Sequence, residues 1–195
     1  MNPRNPYAPA VVLCLVLLAI GPANAGDDWP QWGGPDRDFT VEARELSRNW
    51  GEDGPPVAWE RPLGAGFASI VGDKSRLFTA FRDGDEEIVV ALNRKDGKTL
   101  WEYGYAAPVV KSEALSTHYG EGPNGTPLLV GRKLVTLGFT GQVHCLDAKK
   151  GQLLWSHDLA QEFGVKIEDE EVGVKAFASI DALVTFVREK GVQSA

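Results

Sequence analysis

Val143-His144-Cys145-Leu146-Asp147-Ala148-Lys149-Lys150-Gly151-Gln152-Leu153-Leu154-Trp155 is a second copy of Val89-Val90-Ala91-Leu92-Asn93-Arg94-Lys95-Asp96-Gly97-Lys98-Thr99-Leu100-Trp101, at a constant offset of 54 and without a gap. Val, Leu, Asn or Asp, Lys, Gly, Leu and Trp coincide. Each copy reads as strand, tight turn, strand. An Asn or Asp side chain opening a turn can bind nearby backbone, the role expected of Asn93 and Asp147. A glycine closing it supplies the positive φ that other residues resist, the role expected of Gly97 and Gly151. The tryptophan falls on the returning strand, where its ring can bury a large apolar area.

Outward from the repeat, residues 77–81 and 134–138 are short apolar strands, each after a turn-like stretch at 71–74 or 130–133. Residues 127–130 add an innermost strand to the second copy, and Thr140-Gly141 makes its next hairpin turn. Trp59, 42 residues before Trp101, reads as the tryptophan end of a preceding unit. All-strand repeats of ~40–55 residues form propeller blades rather than solenoid turns. The predicted fold is mainly β: a partial β-propeller of about two to three antiparallel four-stranded blades, with a short α-helical C-terminal tail. The 22 Gly and 12 Pro, many in short turn-like clusters, favour such a chain of short strands.

Read from Gly141 to Trp155, the pattern G-x-V-x-x-L-D-A-x-x-G-x-x-L-W resembles the pyrroloquinoline-quinone (PQQ) type β-propeller repeat. Asp28-Trp29-Pro30-Gln31-Trp32-Gly33-Gly34-Pro35-Asp36-Arg37 resembles the opening of exported members of that family. Gly120-Glu121-Gly122-Pro123-Asn124-Gly125-Thr126-Pro127 resembles a loop before one of its blades. The resemblance covers about residues 27–160. It implies that Trp59, Trp101 and Trp155 dock between neighbouring blades. It also implies a ring of seven or eight blades, which needs on the order of 300 to 400 residues, so about two blades are an arc. Many members of the family bind no quinone. Its dehydrogenases carry an acidic catalytic residue, calcium ligands and often adjacent cysteines. This chain has no Cys-Cys, and no PQQ or calcium ligand matches a position in it, so the expected cofactor set is empty.

The ends read differently. Arg4 is the only charge before Asp27, an apolar run extends from Ala10 to Ile20, and Ala23-Asn24-Ala25 is a small-x-small cleavage site. That is a secretory leader, expected to be removed after Ala25, with an apolar run too short to span a bilayer. The expected address is periplasmic or extracellular. Cleavage leaves one cysteine, Cys145, expected as a small buried hydrophobe in a domain held by its core rather than by disulfides. Domain organisation is read as 1–25 leader, 26–160 blades and 161–195 tail. In the tail Ser179 precedes Ile180, Leu183, Val184 and Val187, one apolar helix face, and a shorter helix is expected at 159–163. Residues 159–172 and 177–187 resemble the second half of an acyl carrier protein. The serine that carries phosphopantetheine in that family has no counterpart: its position is Lys149, and no Asp-Ser-Leu occurs.

Chemistry is sparse. With 20 basic and 27 acidic residues the chain lacks the electrostatic footprint of a nucleic-acid binder. His118, His144 and His157 have no ligand-like spacing and are expected in structural or surface roles. There is no G-x-S-x-G and no G-x-x-x-x-G-K-[ST]. Asp83-Gly84-Asp85-Glu86-Glu87 is expected to be a solvated hairpin tip rather than a calcium site. Catalytic, cofactor and metal residues are therefore assigned to none, and the repeat residues Trp59, Trp101, Trp155, Gly97, Gly151, Asn93 and Asp147 are the candidate structural site. The reading is an exported, non-enzymatic binding or scaffold module, with unidentified protein or small-molecule partners and open blade edges available for self-association. A truncated quinoprotein oxidoreductase and an acyl-carrier-like protein are the alternatives.

Overall fold

The computed structural model of the chain describes residues 28–41, 49–108 and 122–163. Both copies of the repeat fold as antiparallel four-stranded meanders. The first contains β1 (Val71–Gly72), β2 (Arg76–Asp83), β3 (Glu86–Asn93) and β4 (Thr99–Ala106), in that spatial order. The second contains β5 (Leu128–Val130), β6 (Lys133–Leu137), β7 (Gln142–Asp147) and β8 (Leu153–Asp158), also in order. A single helical turn, α1 (Leu159–Phe163), follows β8. The expected leader (1–25), His118 and the helix at 180–187 lie outside the described residues.

The turns form as the residues dictate. Asn93 Oδ1 accepts from the Lys95 amide at 2.8 Å, and Asp147 Oδ1 accepts from the Lys149 and Lys150 amides at 2.9 Å each. Gly97 at φ +69° and Gly151 at φ +70° then donate their amides back to the carbonyls of Asn93 and Asp147. Each following strand carries a bulge at the same place: Leu92 pairs with Thr99 and Ala91 with Trp101, while Leu146 pairs with Leu153 and Cys145 with Trp155. Leu100 and Leu154 are the extra residues, and both are exposed.

Register assigns each blade two faces. On the forward face of the first blade, Val71, Phe78, Ala91 and Trp101 form one rung, Ala80, Val89 and Tyr103 a second, and Arg82, Glu87 and Tyr105 a third. The rear face of the second blade presents Leu129, Leu134 and Leu146 in line, with Ala148 beyond them. These two faces close on each other as the core. Fully burying a side chain such as Phe78 or Leu134 contributes about 1.5–3 kcal/mol. The leading segment ties the innermost strands together: Trp29 exchanges two 2.8 Å backbone bonds with Gly72, and Pro30 O accepts from the Leu129 amide.

The described residues contain two blades, within the expected two to three; the segment around Trp59 has no strand of its own and pairs only through the isolated bridge Ala65–Arg82. One expectation needs correction. Trp101 and Trp155 are not equally buried: Trp101 is 9% exposed and Trp155 41%. The first blade's forward face is covered by the second blade. No described element covers the same face of the second, where Leu128, Val135, Leu137 and Val143 remain half-buried.

The contact of Trp101 with Gly151 predicts a ranked response to glycine substitution. A Cβ at Gly151 would sit 2.6 Å from the Trp101 ring, whereas one at Gly131, also at positive φ, meets nothing within 4 Å. Gly131→Ala should therefore cost only the left-handed backbone penalty of about 1–2 kcal/mol. Gly151→Ala should cost about 2–4 kcal/mol, since the indole must also move. Urea midpoints of the two variants measure the difference.

Candidate functional site

The candidate structural residues meet in a latch that is used twice. Trp59 lies over Gly97, where a Cβ would come within 2.5 Å of its ring, and its indole N–H donates to Arg94 O at 3.0 Å. Trp101 lies over Gly151 in the same way, and its indole N–H donates to Ala148 O at 3.2 Å. Arg94 and Ala148, like Gly97 and Gly151, are 54 residues apart. The turn makes both halves of the socket: a bare Cα for the ring and an outward carbonyl for the N–H. Ala148 O also accepts from Arg76 Nη1 at 2.6 Å, so both its lone pairs are used. Trp155 has no described socket, and its nearest aromatic neighbour is His157 at 5.4 Å between centroids.

Beneath the latch lies a polar rung that sequence reading missed. Only Asp83 to Glu86 form the solvated hairpin tip. Glu87 is completely buried, which corrects the expectation for that acidic run. Strand alternation is the reason: Glu87 shares the inward parity of Val89 and Ala91, a signal already present in the sequence. Glu87 accepts from Arg82 Nη2 at 3.2 Å, from the Tyr105 hydroxyl at 2.6 Å, and from the Phe139 amide of the second blade at 3.1 Å. Arg82 also donates to Ala107 O at 2.7 Å. Burial, and then the adjoining Glu87 carboxylate, push the Tyr105 hydroxyl far above the ordinary phenol range, so it stays a donor.

His144, from the second blade, packs tilted against Tyr105 at 4.1 Å between centroids and meets Tyr103 edge-on at 5.5 Å. Its Nδ1 is buried without a partner, and burial lowers its pKa, so the ring is held neutral. Cys145 is buried and its thiol pKa is raised by desolvation, the environment of a packing residue. His157 is exposed and pairs with Glu162 at 2.9 Å. Among the described residues no three His, Cys, Asp or Glu side chains converge as metal ligands. No described helix is long and apolar enough to cross a membrane.

A protein family described as outer membrane protein assembly factor BamB matches residues 85–193, more than half of the chain. The match runs from β3 through the tail that resembles a carrier protein. A curated relative, the outer membrane protein assembly factor BamB of Burkholderia pseudomallei, is 31% identical over 86 residues, covering 43% of this chain and 21% of that protein. The chain thus spans about a fifth of that relative's length. Among solved structures, a europium-containing methanol dehydrogenase is similar over 54% of this chain and 19% of its own, at 22% identity and a TM-score of 0.40. BamB from Moraxella catarrhalis is similar over 47% of this chain and 33% of its own, at 20% identity and a TM-score of 0.26.

Two measurements probe the buried rung. Glu87→Gln breaks the buried Arg82–Glu87 ion pair and should destabilise the chain by about 3 kcal/mol or more, whereas Glu86→Gln at the exposed tip should change little. Denaturant unfolding of the pair gives the comparison. For His144 the sign follows from its depressed pKa. Between the folded value and the ordinary value of about 6.5, the unfolded chain binds a proton that the folded chain does not, so stability falls on acidification through that window. His144→Gln should flatten this part of the pH–stability profile.

Proposed function

The chain belongs to the outer membrane protein assembly factor BamB family, and on that premise we propose that it is an exported, non-enzymatic binding and scaffold module built from PQQ-type propeller blades. The observation that carries this reading is the second blade's forward face. It presents Trp155 and half-buried Leu128, Val135, Leu137 and Val143 in the arrangement that the first blade uses to hold its neighbour. A surface of this kind works by receiving another folded surface, and a further blade is the occupant whose shape it matches. The buried carboxylate between the blades is spent on its neighbours: Glu87 binds Arg82, Tyr105 and the Phe139 amide. These bonds serve to fix the blades rather than to act on a substrate.

In this reading the leader directs export and is cleaved after Ala25, and the blades work beside protein partners in the assembly of outer-membrane proteins. Deleting the gene should lower the level of outer-membrane β-barrel proteins, measured by quantitative mass spectrometry of isolated envelopes. The chain recovered from the periplasmic fraction should have an intact mass that begins at Gly26. Unchanged barrel levels, or calcium- and PQQ-dependent dye reduction by the purified chain, would overturn the proposal.

A further inference from the structure

The blades are electrically polarised along their strands. In an antiparallel meander the β1–β2, β3–β4, β5–β6 and β7–β8 turns share one end. In this chain those turns, at 73–76, 94–98, 131–133 and 147–151, carry nine Lys and Arg against three Asp. The opposite end carries Asp83, Asp85, Glu86, Asp158 and Glu162. Nine of the twelve Lys and Arg among the described residues thus lie at one end.

The three aspartates at the basic end serve their own turns. Asp73 accepts from the Ser75 and Arg76 amides, Asp96 from the Lys98 amide, and Asp147 from the Lys149 and Lys150 amides. Between the β1–β2 turn of the first blade and the β5–β6 and β7–β8 turns of the second lies a cleft of about 280 Å³ lined by Ser75, Arg76, Arg132 and Lys149. Arg76 is fixed there by a paired contact to Asp73 and a bond to Ala148 O. Arg132 differs: its guanidinium is 83% exposed, and among the described residues it makes only a long 3.8 Å contact, to Asp147.

We propose that this inter-blade cleft binds the carboxylate side chain of an acidic protein segment, with Arg132 and Lys149 as its recognition residues. Charge selects the class of ligand. Arg76, Arg132 and Lys149 set against Asp73 and Asp147 leave one net positive charge, which suits a monoanion better than a phosphate dianion. The guanidinium of Arg132 has the planar fork that a carboxylate accepts bidentately. Shape selects the source. Arg76 is recessed among these turns, where a slender side chain can approach and a flat array of lipid headgroups cannot. The acidic far end repels the same segment, so the field along the strands orients its approach. The inference rests on the charge layout of the blades and does not require the role in outer-membrane assembly.

The test uses the full chain and a fluorescein-labelled peptide of alternating Glu and Ser, followed by anisotropy at low ionic strength. Binding is expected for this peptide, absent for its Gln counterpart, and weakened by added salt. Combining Arg132→Glu with Lys149→Glu should weaken binding by about tenfold or more, while Lys95→Glu, on a turn outside the cleft, should change it by less than about threefold. Arg132 and Lys149 are exposed, so thermal melts of the variant should match the parent and exclude misfolding. Absence of peptide binding would overturn the proposal. So would an equal loss with Lys95→Glu, displacement by equimolar inorganic phosphate, or binding to phosphatidylglycerol vesicles without binding to the peptide.

Discussion

The arc depends on an indole lying flat on a glycine. Trp101 reaches across to the second blade because Gly151 has no side chain to keep it away and because the turn ending there leaves Ala148 O pointing outward. Both conditions come from one local structure, the Asp147 turn, so a single turn supplies the whole socket. Trp59 on Gly97 repeats the geometry with different surroundings, which separates the latch from the sheet around it. A residue of Trp's size contributes much of its stabilisation through buried area, yet here its position is set by one hydrogen bond and one missing Cβ.

The Arg82–Glu87–Tyr105 rung does different work. A buried ion pair seldom adds net stability over a well-packed apolar group, because desolvating two charges costs about as much as their attraction returns. Its effect is geometric. Glu87 must meet Arg82 across the β2–β3 pair, Tyr105 across the β3–β4 pair and the Phe139 amide in the second blade at once. Apolar rungs can slide by a fraction of a side chain, whereas three directional bonds on one carboxylate cannot. The latch brings the blades together and the carboxylate fixes where they stop.

Much of this was legible in the sequence because a repeat writes each local solution twice. The offset of 54 places both turns, both tryptophans and both positive-φ glycines. The reading failed where the two copies differ. Strand partners of β2 and β6 are related by 57 residues rather than 54, since the β2–β3 hairpin is three residues longer. In that longer hairpin Glu87 looked like part of an acidic tip, because net charge hid its inward parity. β1 was missed because two residues of strand carry no periodicity of their own. Trp155 was expected to be buried by analogy, but burial belongs to the neighbour that covers a face, not to the residue that presents it.

The bulges have a consequence for the outer edges. β4 and β8 are the last strands of their sheets, and an edge strand with open backbone groups invites a strand from another chain. At Leu100 and Leu154 the extra residue breaks the even spacing of those groups. A foreign strand that began pairing along Glu102 to Ala106, or along Ser156 to Asp158, would lose step on reaching the bulge. Each blade thus carries, beside its tryptophan, a stop against indefinite lateral growth: the propeller surface is left free to associate face to face while ribbon-like stacking edge to edge is cut short.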